Sequence, residues 1–331
     1  MSGTEYTQGL RIEYGASETG VTVGADGVIL TIGIPVLGGP AVETPMCEGG
    51  EVWENQGFVG IRGDEMMCGV LVEEAEFPME DSVRGAYRRL FEVCGRNRLY
   101  RIWNFVPRIN ELSDGLENYR SFNAGRRRAY VEAFGGRVEE HMPAASAVGI
   151  ESNMRVLVFL GGRVSGSYVE NPEQVPAYRY PPVHGASAPC FSRGAVVSSG
   201  ARQLGFVSGT ASIKGHLSLG QGDVERQTDR TLKNIELVRE QMGMTGRRWA
   251  AGDCGRHFKV YLRNPRDYPD VRGRLGAAVG PGPRETTYLR ADICRAELDV
   301  EIEVQYTCPP AGIEAGEERR PGNRRHLAGR V

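Results

Sequence analysis

From Leu298 to Tyr306 the chain alternates: Leu298, Val300, Ile302 and Val304 fall on one side, and Asp299, Glu301, Glu303 and Gln305 on the other. A period of two is that of a strand with unlike faces. Two acids on one face suit the solvated side of an outer strand, because Glu is rarely buried. Asp292, Cys294 and the sheet-forming residues around them read as a second strand, with Ala296–Glu297 as the corner. On paired strands, an acid and a cysteine can share one pocket.

Elsewhere the pattern switches repeatedly between periods of two and 3.6. Residues 1–50 are rich in Gly, Thr and Val with frequent breakers, and read as short strands and turns. Phe58–Arg62 and Met67–Glu73 predict a hairpin. Asp81 is placed to cap a helix reaching Cys94, with Val83, Tyr87, Leu90 and Val93 on its apolar stripe. A strand at Leu99–Val106 and a helix at Leu116–Phe134 follow. Pro143–Asn153 is small and breaker-rich, so a domain boundary is expected there, dividing residues 1–148 from 149–308.

The second half repeats the plan: strands at Met154–Leu160, Gly194–Ser199 and Leu204–Ile213, a helix at Asp223–Gln241, a strand at His257–Arg263, and a helix at Asp267–Ala278. Asn171–Pro189 is a Pro-rich, Tyr-containing loop too long for a simple connector. Residues 309–331, rich in Gly, Glu and Arg, read as a disordered tail. The expected fold class is α+β: two similar domains, each a mixed sheet with helices on one face. The likeness between halves is architectural and not a residue-level repeat.

Composition narrows the function. With 40% hydrophobic and 25% charged residues in 331, and a net charge of −2, there is no electrostatic case for nucleic acid or an anionic membrane. No apolar run approaches a membrane span, and the first ten residues lack a signal peptide's basic and apolar regions. Positive charge is almost all Arg; only Lys214, Lys233 and Lys259 are lysines. Seven scattered cysteines without a CxxC argue against disulfides and structural zinc and for a reducing cytoplasm. No P-loop, GxGxxG, HExxH or GxSxG occurs, and the five histidines show no ligand spacing, so no metal or cofactor is expected.

Seven segments together carry a resemblance: YRIWNFVPRINE (100–111), ENYRSFNAGR (117–126), the YRYPP…FSRG loop (178–194), FVSGTASIKGH (206–216), GDVERQT…KNIE (222–236), FKVYLR (258–263) and ADICRAELDVEIE (291–303). They resemble the chorismatases, which cleave the enolpyruvyl ether of chorismate on a two-domain scaffold related to the YjgF/RidA, chorismate-mutase-like fold. Lys214 and the loop around Cys254 depart from that pattern. The resemblance implies that the first Glu of VEIE, here Glu301, is the catalytic acid; Glu303, one pleat on along the same face, suits a structural or supporting role. It also implies that Cys294 stands where a cysteine marks the branch forming 3-hydroxybenzoate; as a plain residue it suits a small buried filler. Ala211 favours the other branch, which hydrolyses chorismate to a cyclohexadiene diol acid, because Gly there would leave more room beside the ring.

A substrate with two carboxylates needs planar cationic partners, which Arg supplies. Arg126, Arg193, Arg263 and Arg295 lie in matching segments; Arg193 and Arg263 are the leading candidates, and Arg127 and Arg128 suit surface ion pairs. Tyr178 and Tyr180 are candidate hydrogen-bonding groups, or loop packing. Gly209, Thr210 and Ala211 stand in a Gly- and Ser-rich stretch suited to close approach of a ligand, or to a bulge. Chorismate is then the expected partner, and two fused copies of a fold usually trimeric imply a pseudo-oligomeric monomer. The competing readings are an imine or enamine deaminase and a non-catalytic ligand-binding module.

Overall fold

The computed structural model describes residues 9–45, 49–164, 166–199, 202–244, 254–279 and 284–308. Strands β1 (Gly9–Tyr14), β2 (Gly20–Gly24) and β3 (Gly27–Ile32) lead through β4 (Val36–Gly38) to β5 (Val42–Glu43). All but β4 form a small sheet in the order β2-β3-β1-β5.

A six-stranded mixed sheet follows. It takes β6 (Glu51–Asn55), β7 (Phe58–Arg62), β8 (Met66–Glu74), β9 (Arg98–Pro107), β12 (Ala144–Ile150) and β13 (Met154–Gly162), in the order β12-β9-β13-β8-β7-β6. Between β9 and β12 run the short hairpin β10 (Leu112–Ser113)–β11 (Leu116–Glu117) and helix α2 (Asn118–Phe134), beside α1 (Glu80–Cys94). The expected stripe of α1, Val83, Tyr87, Leu90 and Val93, is buried in the core shared with Phe58, Ile102, Phe122 and Phe159. Asp81 does not cap α1. It stands in the first turn with Glu80, where both carboxylates complement the helix dipole.

The second large sheet has seven strands: β14 (Gly166–Val169), β15 (Gly194–Ser199), β16 (Arg202–Thr210), β19 (Gly255–Leu262), β20 (Arg284–Arg290), β21 (Val300–Cys308) and β4, in the order β14-β15-β16-β21-β19-β20-β4. The hairpin β17 (Ile213–Lys214)–β18 (Leu217–Ser218) leads into helix α3 (Val224–Gln241), and α4 (Tyr268–Val279) crosses from β19 to β20. Asp223 accepts the Arg226 N–H at 2.9 Å and caps α3. Helices α3 and α4 cover one face of this sheet, where Val300, Ile302 and Val304 meet Val238, Val260, Val271 and Leu275.

The inner faces of both large sheets and the small sheet share a third core, in which Trp103, Phe105, Val148 and Val158 meet Phe206, Tyr261, Leu289, Ile12 and Leu30. The layers therefore run helices, sheet, sheet, helices, and the α+β class with helices on one face of each mixed sheet is observed. This stacking changes the meaning of the alternating strand. β21 lies in the middle of its sheet, so Glu301 and Glu303 face the other sheet and are 3% and 6% exposed. The solvated outer strand that two acids suggested does not exist.

Three further expectations give way. The breaker-rich segment at the proposed boundary is β12, buried throughout and parallel to β9, and β13 lies between β9 and β8. Small residues there let the two sheets approach, and the first sheet runs on to Gly162. Second, β20 is not hairpin-paired with β21. β19 lies between them, parallel to β20, and Asp292 and Cys294 sit in the irregular loop 291–299. The α4 crossover makes that arrangement, and a crossover is invisible to periodicity. Third, Cys254 and Cys308 form a disulfide. They flank the paired ends of β19 and β21, where Gly255 opposes Thr307, and 54 residues of sequence separate them. Cys68, Cys94, Cys190 and Cys294 are free thiols, and Cys47 and the tail lie outside the described residues.

Candidate active site

Glu301 opens into a cavity of about 250 Å³ between the start of α2, the loop 180–193, the end of β16 and the loop 294–297. A smaller extension of about 20 Å³ carries it inward past Glu301, Tyr119 and Cys294 to Arg126 and Ser146. A break in the β16–β21 ladder makes room for the carboxyl. Val207 pairs with Val304 and Thr210 with Ile302, so Ser208 and Gly209 form a bulge opposite a single residue. A Cβ on Gly209 would lie 1.9 Å from Glu301 Oε1 and 2.9 Å from Ser146 Cβ. The hydroxyls of the bulge are spent on backbone: Ser208 accepts from Ala145 N at 2.9 Å and donates to Ser192 O at 2.6 Å, and Thr210 donates to Ser208 O at 2.7 Å.

The two glutamates of β21 have opposite environments. Glu303 takes hydrogen bonds from Arg101 (2.5 Å), Trp103 Nε1 (2.7 Å), Ser146 Oγ (2.7 Å) and Tyr261 OH (3.4 Å), and Lys259 Nζ is 3.1 Å away. Burial alone would raise its pKa, but Arg101 and Lys259 with the Ser146 and Trp103 hydrogen bonds bring it down to about 2. Glu301 has no such donors. Burial, then the neighbouring Glu303 charge, push it up to about 8 against a partial opposing pull from Arg101 and Arg193. One strand therefore presents a fixed anion and, two residues earlier, a carboxylic acid that keeps its proton at neutral pH.

Cations ring the cavity. Arg193 is 3% exposed and donates to Tyr180 OH at 2.6 Å and to Val175 O, while its Nε has no partner. Arg295 donates to His216 O and Ser218 Oγ, both at 3.0 Å, and its second terminal nitrogen is also unpartnered. Both guanidiniums lie near the Tyr180 ring, at 5.7 and 5.3 Å from its centre. Arg126, 1% exposed, bonds Asn123 and leaves its Nε unpaired beside the inner extension. Burial, then the Glu301 charge, hold the Cys294 thiol up at about 12, which makes it a neutral wall residue.

Of the sequence candidates, Glu301, Cys294, Arg193, Tyr180, Gly209 and Ala211 line the main cavity, and Arg126 its extension. Arg263, Tyr178 and Thr210 line neither. Arg263 instead spans loop 291–299, pairing with Asp292 at 2.8 Å and donating to the carbonyls of Leu298, Ile293 and Arg295. Tyr178 packs beneath Arg179. Lys214 is exposed on its hairpin, and Arg128 pairs with Glu80 at the surface. The position of Arg263 predicts that Arg263→Met will raise KM more than it lowers kcat. It will also cost about 2–4 kcal/mol of stability, since five acceptors, Asn110 Oδ1 among them, lose one half-buried donor; urea titration and steady-state kinetics check both.

Sequence reading passed over Tyr119, Phe191, His184 and the whole Glu303 cradle. The cradle had a signal in YRIWNFV, where Arg101 and Trp103 sit at i and i+2 on one face of a mostly apolar strand. Glu43 had none: it reaches Lys259 Nζ at 2.6 Å across 216 residues of sequence.

A buried carboxyl pushed toward its acid form, beside guanidinium nitrogens without partners in one cavity, suits an enzyme acting on an anionic small molecule. Among the described residues, no three or more His, Cys, Asp or Glu side chains could hold a metal ion. Comparison with known proteins gives the family. That described as chorismatase FkbO/Hyg5-like, N-terminal, matches residues 50–161. The chain is 32% identical over 326 residues to a chorismatase of Streptomyces hygroscopicus, covering 92% of this chain and 90% of that one. It is 37% identical over 236 residues to a 3-hydroxybenzoate synthase of the same organism, covering 67% and 68%. A chorismatase crystal structure superposes with a TM-score of 0.78 at 28% identity, over 92% of this chain and 94% of that one. The chain belongs to the chorismatase family.

Proposed function

We propose that this protein cleaves the enolpyruvyl ether of chorismate, releasing pyruvate, with Glu301 as the proton donor. The observation that carries this reading is the pairing of a protonated Glu301 with unpaired Arg nitrogens in one cavity. Arg193 and Arg295 suit the substrate carboxylates as forked donors. Glu301 transfers its proton to the terminal methylene of the enolpyruvyl group, and the resulting oxocarbenium ion is stabilised by the carboxylate just formed. In the favoured course the ring's own hydroxyl attacks, pyruvate leaves through an epoxide-like intermediate, and the ring aromatises to 3-hydroxybenzoate. Cys294 on the cavity wall and the similarity to a 3-hydroxybenzoate synthase support that outcome. The Ala211 methyl, on the same wall, favours the alternative in which water captures the cation and a cyclohexadiene diol acid forms.

The test is purified protein with chorismate, without added metal or cofactor, followed by pyruvate release and chromatography of the ring product. Pyruvate with 3-hydroxybenzoate supports the reading; pyruvate with a non-aromatic diol acid moves the product to the hydrolytic course. Absence of pyruvate overturns the activity.

No helix among the described residues is long and apolar enough to cross a membrane. We place the reaction in the cytoplasm on the substrate's account, because a dianion does not cross a bilayer unaided. We also read the chain as a monomer without a nucleic-acid partner: its two sheets already cover each other's inner faces.

A further inference from the structure

Glu301 and Glu303 share one face of β21, two residues and about 6.6 Å apart along the strand, yet they open into different spaces. Glu301 lines the candidate active site. Glu303 lines a separate cavity of about 460 Å³ with Arg101, Lys259, His257 and Glu43. Its carboxylate is held from β9, β12 and β19 at once. The charges in that cradle also balance. Arg101 and Lys259 face Glu303, Lys259 is shared with Glu43, and so two cations meet two anions. Lys259 is thereby spent on two carboxylates, and Arg101, whose other terminal nitrogen has no partner, exerts only a partial pull on position 301.

We propose that Glu303 is a positioning residue for the proton donor: a permanently charged carboxylate, anchored by the facing sheet and by β19, that keeps Glu301 in its acid form. This rests on the reading of Glu301 as the acid. The other groups facing Glu301 do not do the same job. Arg101 and Arg193 favour the charged form, and the Tyr119, Tyr261 and Cys294 side chains are neutral, with Arg126 beyond them in the inner extension. Burial acts in the same sense as Glu303, but burial would hold back both carboxyls of the strand alike. The cradle is what separates their roles.

The charge makes a signed prediction. In Glu303→Gln, the repulsion is lost and both cations are released, so the alkaline limb of the kcat/KM–pH profile moves roughly one to two units toward acid. In Lys259→Met a cation is lost instead, and the limb moves the other way. The infrared carbonyl band of protonated Glu301, assigned with Glu301→Gln, is titrated in the resting protein and needs no turnover. Opposite shifts of the band in the two variants support the proposal. If Glu303 only packs the sheets, both variants lose Tm while band and limb stay at wild-type pH, and the proposal fails. Should Glu303→Gln not fold, an unmoved band in Lys259→Met is sufficient to reject it. A band that shifts as stated while the kinetic limb does not follow keeps the electrostatics and rejects Glu301 as the acid.

Discussion

Glu301→Gln is expected to lower kcat for pyruvate release by about 10²–10⁴, the usual worth of a placed general acid, while leaving the protein at least as stable as wild type at neutral pH. Gln fills nearly the same volume beside Gly209 and Ser146 but cannot deliver a proton. The stability half follows from linkage. Burial and Glu303 raise Glu301 to about 8 in the folded protein, well above its unfolded range. The unfolded chain therefore releases this proton at lower pH than the folded one does. Stability contributed by the protonated carboxyl is fully present below the unfolded pKa and declines as pH rises toward 8. An amide has no proton to release and escapes that loss. Glu303 has the opposite sign: depressed to about 2, it contributes stability above its unfolded pKa that is lost as pH falls toward 2. Parallel kinetics and thermal melts check the pair of effects; wild-type turnover in Glu301→Gln would remove the acid from position 301.

The second large effect is expected at Gly209. The backbone there is not in the left-handed region, so alanine is conformationally acceptable. What alanine cannot do is share space with the Glu301 carboxyl, whose Oε1 lies 1.9 Å from the new Cβ, with Ser146 Cβ at 2.9 Å on the other side. The carboxyl has to turn or shift by the order of an ångström. A displacement of that size costs about 10² in rate when it moves the reacting group. Gly209→Ala is therefore expected to fold with a modest fall in Tm and to lose about 10²-fold or more in kcat. Activity within a factor of about three of wild type would show that the bulge does not set the position of the acid.

Much of this protein is legible in local pattern. The stripe of α1, the extent of α3 and the two-faced alternation of β21 each depend on neighbours within a few residues, and each is found where the pattern puts it. The seven segments between Tyr100 and Glu303 carry the family resemblance, and they contain every residue of the main cavity wall named above; Ser146 of the inner extension lies outside them. Arg263 and Arg193 show the limit. Both are arginines in matching segments next to predicted strands, yet one braces a loop and the other reaches the cavity. Their difference lies in which carbonyls surround them, and that is set by contacts between distant parts of the chain.

Strand and helix identity, the polar face of β21 and the presence of an acid there thus belong to the sequence, because periodicity is a property of adjacent residues. Three things belong to tertiary structure alone. Covering that polar face with a second sheet turned two apparently solvated glutamates into buried ones. The insertion of β19 between β20 and β21 sent Cys294 into a loop beside Glu301 and brought Cys254 against Cys308. The meeting of Arg101, Ser146, Lys259 and Glu43 around Glu303 decided which carboxyl is charged and which holds its proton. Burial and the placement of charges in three dimensions determine a pKa, and neither is written in the spacing of residues along the chain.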